Sequence, residues 1–147
     1  MDVKLKVEDL VDLVREEVSR LGATLTDDQG AGLYDSIKIT SRDTGVIGRM
    51  LDEAKSAVLT QCHRFIDHSV TTEDGMVEFY FSGTDRRFDG KEDTITDLLE
   101  NILVKMVVSK YLVSKGLVTN AQVYDQQAAS DIALLSKNLY VKLPPKK

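Results

Sequence analysis

The chain of 147 residues carries 24 acidic and 19 basic residues, so its formal net charge is −5. This balance argues against a general nucleic-acid binder, because such proteins neutralise phosphates with a basic face. It is compatible with a surface past which DNA slides, since an acidic wall repels phosphate.

The composition, 42% hydrophobic and 29% charged, is typical of a globular protein, and the length predicts one domain spanning residues 1–147. The sequence contains neither a long apolar run of the transmembrane kind nor an N-terminal secretory signal. We therefore expect a protein of the cell interior or of a virus particle.

The N-terminal part predicts an amphipathic helix followed by a long ordered loop. The helix has acidic residues in its opening turns, Gly22 as its stop, and an apolar stripe of Val7, Leu10, Val11, Val14, Val18 and Leu21. Residues 23–40 sustain no helical stripe. We expect this loop to pack against the body through Leu25, Leu33, Tyr34, Ile37 and Ile39.

A second helix is predicted to begin after Ser41, a suitable N-cap, and to continue to about Ile66. Its core face recurs at three- and four-residue steps through Val46, Ile47, Met50, Leu51, Ala54, Ala57, Val58, Cys62 and Phe65. Cys62 is the single cysteine and cannot form an internal disulfide. Its position on the stripe favours a buried structural thiol.

Residues 68–82 carry the convincing β pattern of the sequence and predict one inserted hairpin. Asp74-Gly75 is typical of a two-residue type I′ turn, which sets Thr72 opposite Val77, Val70 opposite Phe79 and His68 opposite Phe81. These six side chains would face the helices. Glu78 and Tyr80 would then lie on the other, mostly polar face, and the hairpin would offer a spare strand edge to another chain.

The polar loop of residues 83–91 contains Arg86 and Arg87. Two interpretations stay open: a solvated loop with ordinary surface charges, or a contact with an acidic neighbour.

The stretch from Asp93 to Gly116 predicts the central helix of the fold. Apolar residues cover most of its faces, and Val104 and Val108, which lie off the main stripe, should be largely buried as well. Thr119 and Gln122 form a capping-box pattern that predicts a last helix antiparallel to the central one. Residues 142–147 are expected to form a flexible tail.

Motifs for catalysis or for metal binding are absent from the sequence. His63 and His68 are five residues apart without a third ligand, and we find no phosphate loop, dinucleotide fingerprint, cysteine pair or nucleophile elbow. We expect no cofactor, no metal and no enzymatic activity. An enzyme would need a site assembled from scattered residues.

The predicted fold is mainly α with minor β: a four-helix-type bundle with one inserted hairpin. Its order of elements resembles the head-tail connector, or neck adaptor, proteins of tailed bacteriophages. The likeness is carried by SRDTGVIGRMLDEAKSAVLTQCHRFI, the β insertion, DLLENILVKMVVSKYLVSKG and AQVYDQQAASDIALLSKNL, and it covers roughly Ser41 to Leu139. The loop of residues 23–40 leaves the N-terminal third without a counterpart.

The resemblance implies a structural virion protein that forms a ring below the portal and continues the DNA channel to the tail. Partners would be other copies of the chain, the portal and tail or neck proteins, with DNA passing through without sequence-specific binding. The protein would be located in the virion neck, and in the host cytoplasm during assembly. Glu78, Tyr80, Arg86 and Arg87 are the candidate contacts to a neighbouring subunit or partner. The alternative is a bacterial helical protein-interaction or regulatory module.

Overall fold

The computed structural model describes residues 1–25, 37–82, 88 and 90–139. Within them, four helices and a small antiparallel sheet confirm the predicted mainly α fold with minor β. The elements are β1 (Asp2–Lys6), α1 (Val7–Thr24), a 3-10 turn (Ser41–Asp43), α2 (Thr44–Gln61), β2 (Ile66–Thr71), β3 (Met76–Phe81), α3 (Glu92–Ser114) and α4 (Val118–Leu139). The predicted tail, residues 142–147, lies outside the described residues.

Helix α3 is the centre of the fold, as the sequence predicts. Each of the other three helices packs against it, and β1 also touches it. Val108 is fully buried as predicted, and Val104 is partly buried against the core, where it lines a cleft between α1 and α4. Seven side chains of α3 have no exposed surface: Ile95, Leu99, Ile102, Leu103, Val107, Val108 and Leu112.

Gly116 ends α3 in a left-handed conformation, with φ of +80°. Its N–H bonds to the Val113 carbonyl at 3.0 Å, and the Leu117 N–H bonds to the Leu112 carbonyl at 2.9 Å. This pair of bonds is a Schellman motif, which satisfies the last carbonyls of the helix and turns the chain back. Helix α4 begins at Val118, so Thr119 is inside its first turn and is not the predicted N-cap.

Two other helix boundaries differ from the prediction. Helix α1 continues through the buried Gly22 to Thr24, so Gly22 is not its stop, and the Leu25 N–H bonds to the Leu21 carbonyl at its end. Helix α2 begins at Thr44 and ends at Gln61, whereas the sequence predicted an end near Ile66. Ile66 instead pairs with Phe81 in the sheet, and the intervening residues form a turn.

The N-cap of the second helical segment is Thr40 rather than Ser41. Thr40 and Asp43 form a reciprocal capping box around the 3-10 turn, in which the Thr40 N–H donates to Asp43 Oδ2 at 2.8 Å. Just before it, Ile37 and Ile39 are buried, and the Tyr111 hydroxyl donates to the Lys38 carbonyl at 3.3 Å. The end of the loop therefore packs on α3 as expected, while Leu33 and Tyr34 lie outside the described residues.

The predicted hairpin is present as β2 and β3, and a third strand that the sequence did not predict extends it to a sheet of order β1-β3-β2. Strand β1 pairs antiparallel with β3, with Val3 opposite Phe79 and Leu5 opposite Val77. Val3 and Leu5 are buried while their neighbours on the strand are exposed. This alternation covers only five residues, which is too short for the sequence to predict a strand there.

The predicted register of the hairpin is wrong by one residue. Val70 lies opposite Glu78 and not Phe79, because the turn has three residues, Glu73 to Gly75, rather than two. Gly75 takes the left-handed conformation that such a loop requires, with φ of +81°.

The slip in register changes the face on which β2 side chains lie. On β3, Val77, Phe79 and Phe81 are buried against the helices as predicted. His68 and Val70 lie on the opposite face, which the helices do not cover among the described residues. A bulge between Ile66 and His68 returns Ile66 to the buried side.

Candidate protein-binding surfaces

The first surface is the face of the sheet that points away from the helices, here called the outer face. Side chains alternate between the two faces along each strand. On the outer face, the half-buried side chains of the central strand β3 lie between the more exposed side chains of β1 and β2. Its central members are Lys4, His68, Val70, Met76, Glu78 and Tyr80.

Two residues predicted as partner contacts, Glu78 and Tyr80, meet on this face. The Tyr80 hydroxyl donates a hydrogen bond to Glu78 Oε2, and this bond raises the pKa of Tyr80. Lys4 Nζ lies 4.0 Å from the other oxygen of the same carboxylate. The other two predicted contacts, Arg86 and Arg87, lie outside the described residues.

His68 stacks on Tyr80 with ring centroids 4.4 Å apart and planes inclined by 14°. His68 Nδ1 is 2.9 Å from Asp67 Oδ2, which fixes the imidazole in its plane. Beside this stack Val70 is 42% exposed. Aromatic residues such as Tyr80 are enriched at protein-binding surfaces, where they contribute much of the affinity.

The second surface is a groove of about 650 Å³ along α3, bounded by α2 and α4. Met50 and Met106 contribute to its floor, and Val113 at one end is 51% exposed. Glu53 of α2 and Lys110 of α3 form an ion pair across it at 3.0 Å. Flexible methionine side chains adapt to different apolar partners, so this groove is suited to an amphipathic helix.

The third surface is a smaller cleft of about 280 Å³ between α1, α3 and α4. Tyr124 donates to Glu17 Oε1 at 2.6 Å, and Arg20 donates to the same oxygen. Burial raises the pKa of Glu100, with a contribution from the nearby Asp97 and Asp9 carboxylates. The Tyr124–Glu17 bond links α4 to α1. Among the described side chains that line this cleft, no nucleophile lies beside a general base.

Metal or nucleophilic chemistry finds no support in the part of the chain that the structure describes. No group of three histidine, cysteine or acidic side chains is placed to hold a metal ion there. Cys62 is buried, and burial raises the pKa of its thiol, which disfavours the reactive thiolate. His63 Nδ1 faces the Thr60 carbonyl at 3.2 Å. None of the described helices is long and apolar enough to cross a membrane.

Comparisons with protein-family models, with characterised proteins and with solved structures found no match for this chain.

The alternation along β3 predicts Glu78 and Tyr80 on the outer face, but Lys4, His68 and Val70, which complete this face, were not predicted there. Lys4 was missed because β1 has five residues and follows directly on Met1, too short a stretch for a strong period-two signal. His68 and Val70 were assigned to the buried face because of the turn. A three-residue loop with glycine at its left-handed position also fits this sequence, and it would have placed His68 and Val70 on the correct face.

Proposed function

We propose that this chain is a structural virion protein, a head-tail connector whose copies form a ring below the portal and continue the DNA channel toward the tail. The observation that supports it most is the sheet: its two outer strands, β1 and β2, differ in sequence and are each paired on one side only within the described residues. A closed ring requires two different and complementary flanks on every subunit.

Two further features agree with this role. The net charge of −5 suits a wall that DNA passes without adhering. The described residues also lack a cluster of side chains for metal chemistry, which leaves binding and assembly as the functions that the surfaces serve best. Partners would be other copies of the chain, the portal, and tail or neck proteins.

The test is made on virus particles of the phage that encodes the chain. Mass spectrometry of purified virions should detect the protein, and images of the neck should show an additional ring. The double variant Arg86→Glu/Arg87→Glu should weaken or remove this ring if the loop meets an acidic neighbour. Absence of the protein from particles would contradict the proposal.

The groove between α2 and α4 favours a second candidate, a helical protein-interaction or regulatory module. Its methionine floor and its charged rim, which includes Glu53 and Lys110, fit the recognition of an amphipathic helix. Under this alternative the protein would be found free in the host cell rather than in particles. Met106→Glu would then abolish partner binding, whereas a ring built through the sheet would tolerate the same change.

A further inference from the structure

The two outer edges of the sheet differ in charge. Strand β1 has Lys4 and Lys6 with one acid, Asp2, along its edge, while β2 and the turn that follows it carry exposed Asp67, Glu73 and Asp74. An edge strand has unpaired backbone groups that bind another strand, and charges on it decide which strands are accepted.

The direction of a continuing strand is fixed by the topology. Both β1 and β2 run antiparallel to β3, so they run parallel to each other. If one copy extends the sheet of the next, β2 of the first must therefore lie parallel to β1 of the second. We propose that copies of this chain assemble in this way, an inference that rests on the proposed ring.

The backbone hydrogen bonds indicate which groups are available. The Met1 carbonyl and the Val7 N–H bond to β3 and its turn, so alternation directs the backbone groups of Asp2, Lys4 and Lys6 outward. On β2 the Thr72 N–H bonds to Met76, so the groups of Ser69 and Thr71 point outward.

Parallel pairing places an outward residue of one strand between two outward residues of the other. In the register with the fullest overlap, Lys4 of one copy lies between Ser69 and Thr71 of the next, beside Val70. Both side chains are then on the outer face. The same register brings Lys6 near Glu73, which adds an attractive contact between opposite charges at the end of the paired strands.

Pairing between two identical β1 edges would be antiparallel. In the register centred on Lys4, the two Lys4 side chains would face each other, which is destabilising, while each Lys6 would face Asp2 of the other copy. Lys55 of α2 donates to Thr71 Oγ1 at 2.9 Å, so it anchors the end of β2 from the helix side. A head-to-tail contact avoids setting Lys4 against Lys4, and it is the kind of contact that a ring uses.

Cysteine cross-linking of the purified full-length protein tests this contact. The double variant Lys4→Cys/Val70→Cys, oxidised at high concentration, should give a ladder of covalent dimers, trimers and larger species. A disulfide within one copy is excluded because β3 separates the two positions by about 9.5 Å, two interstrand spacings, whereas a disulfide needs Cα atoms within about 7 Å. Each single variant should stay monomeric after oxidation.

Two controls make the result specific. The wild-type chain retains Cys62, which is 1% exposed and should not react. The variant Lys4→Cys/Val123→Cys has its second cysteine on an equally exposed position of α4, 49% exposed in the natural chain, and should not form a ladder.

Absence of a ladder, an equal ladder from the Val123 control, or dimers from Val70→Cys alone would overturn the proposed pairing. The last result would indicate a β2–β2 contact. The outcome is independent of the proposed function: a ladder from a protein that is missing from virions leaves the contact standing and removes the connector role, and the reverse result removes only this contact.

Discussion

The Tyr124 hydroxyl of α4 donates a hydrogen bond of 2.6 Å to the Glu17 carboxylate of α1. These residues are 107 positions apart in the chain, so the bond joins the first helix to the last across the side of α3. Tyr124 is 8% exposed, and burial together with Glu17 raises the pKa of its hydroxyl.

We predict that Tyr124→Phe lowers the free energy of unfolding by about 1–2 kcal/mol, since a buried bond to a charged acceptor is lost. Urea denaturation measures the change. Tyr80→Phe is the matched control, because it removes a hydroxyl that also donates to a glutamate, but on the half-buried outer face. Its effect should stay within about 0.5 kcal/mol. Equal effects of the two variants would show that Tyr124 does not couple the helices.

Alkaline pH should destabilise the protein through Tyr111. Burial in α3, with a contribution from Asp43, raises the pKa of Tyr111 from 10.0 to about 12 in the folded state. A raised folded-state pKa means that this contribution to stability is complete below pH 10 and is lost as the pH rises toward about 12. Melting temperatures of wild type and Tyr111→Phe should therefore converge between pH 10 and about 12. Parallel curves would contradict this explanation.

Val108 tests whether α3 is the centre of the fold. Val108→Asp places a carboxylate at a position with no exposed surface, which costs several kcal/mol and should prevent folding. Val113→Asp, at a 51% exposed position of the same helix, should fold normally. Circular dichroism and thermal melting of the two variants give the comparison. A Val108→Asp variant that melts like the parent would place the core elsewhere.

The outcomes at particular residues explain how far the sequence could predict the structure. Long helices were predicted because three or four turns of apolar spacing give a strong signal, and Val108 follows from the density of apolar residues around it. Strand β1 was not predicted, because it has only five residues. The register of the hairpin was not predicted correctly either, because one additional residue in the turn moves every side chain of a strand to the other face. The helix N-cap predicted at Ser41 is instead formed by Thr40, one residue earlier.

The glycines Gly48 and Gly75 should respond in opposite directions to alanine. Gly48 is inside α2, and a Cβ added there meets no atom within 4 Å, so Gly48→Ala should stabilise the fold by up to about 1 kcal/mol. Gly75 has φ of +81°, where an alanine is strained, and Gly75→Ala should cost about 1 kcal/mol or more. Chemical denaturation measures both. The same sign for the two changes would contradict the described backbone.

The central claim, that this chain builds a ring in the neck of a phage particle, is tested most directly by deleting its gene and imaging the particles. We predict that filled or partly filled heads without attached tails accumulate, and that wild-type necks show a ring below the portal into which the helical domain with its three-stranded sheet fits. Particles with complete necks and attached tails in the absence of the protein would contradict the claim.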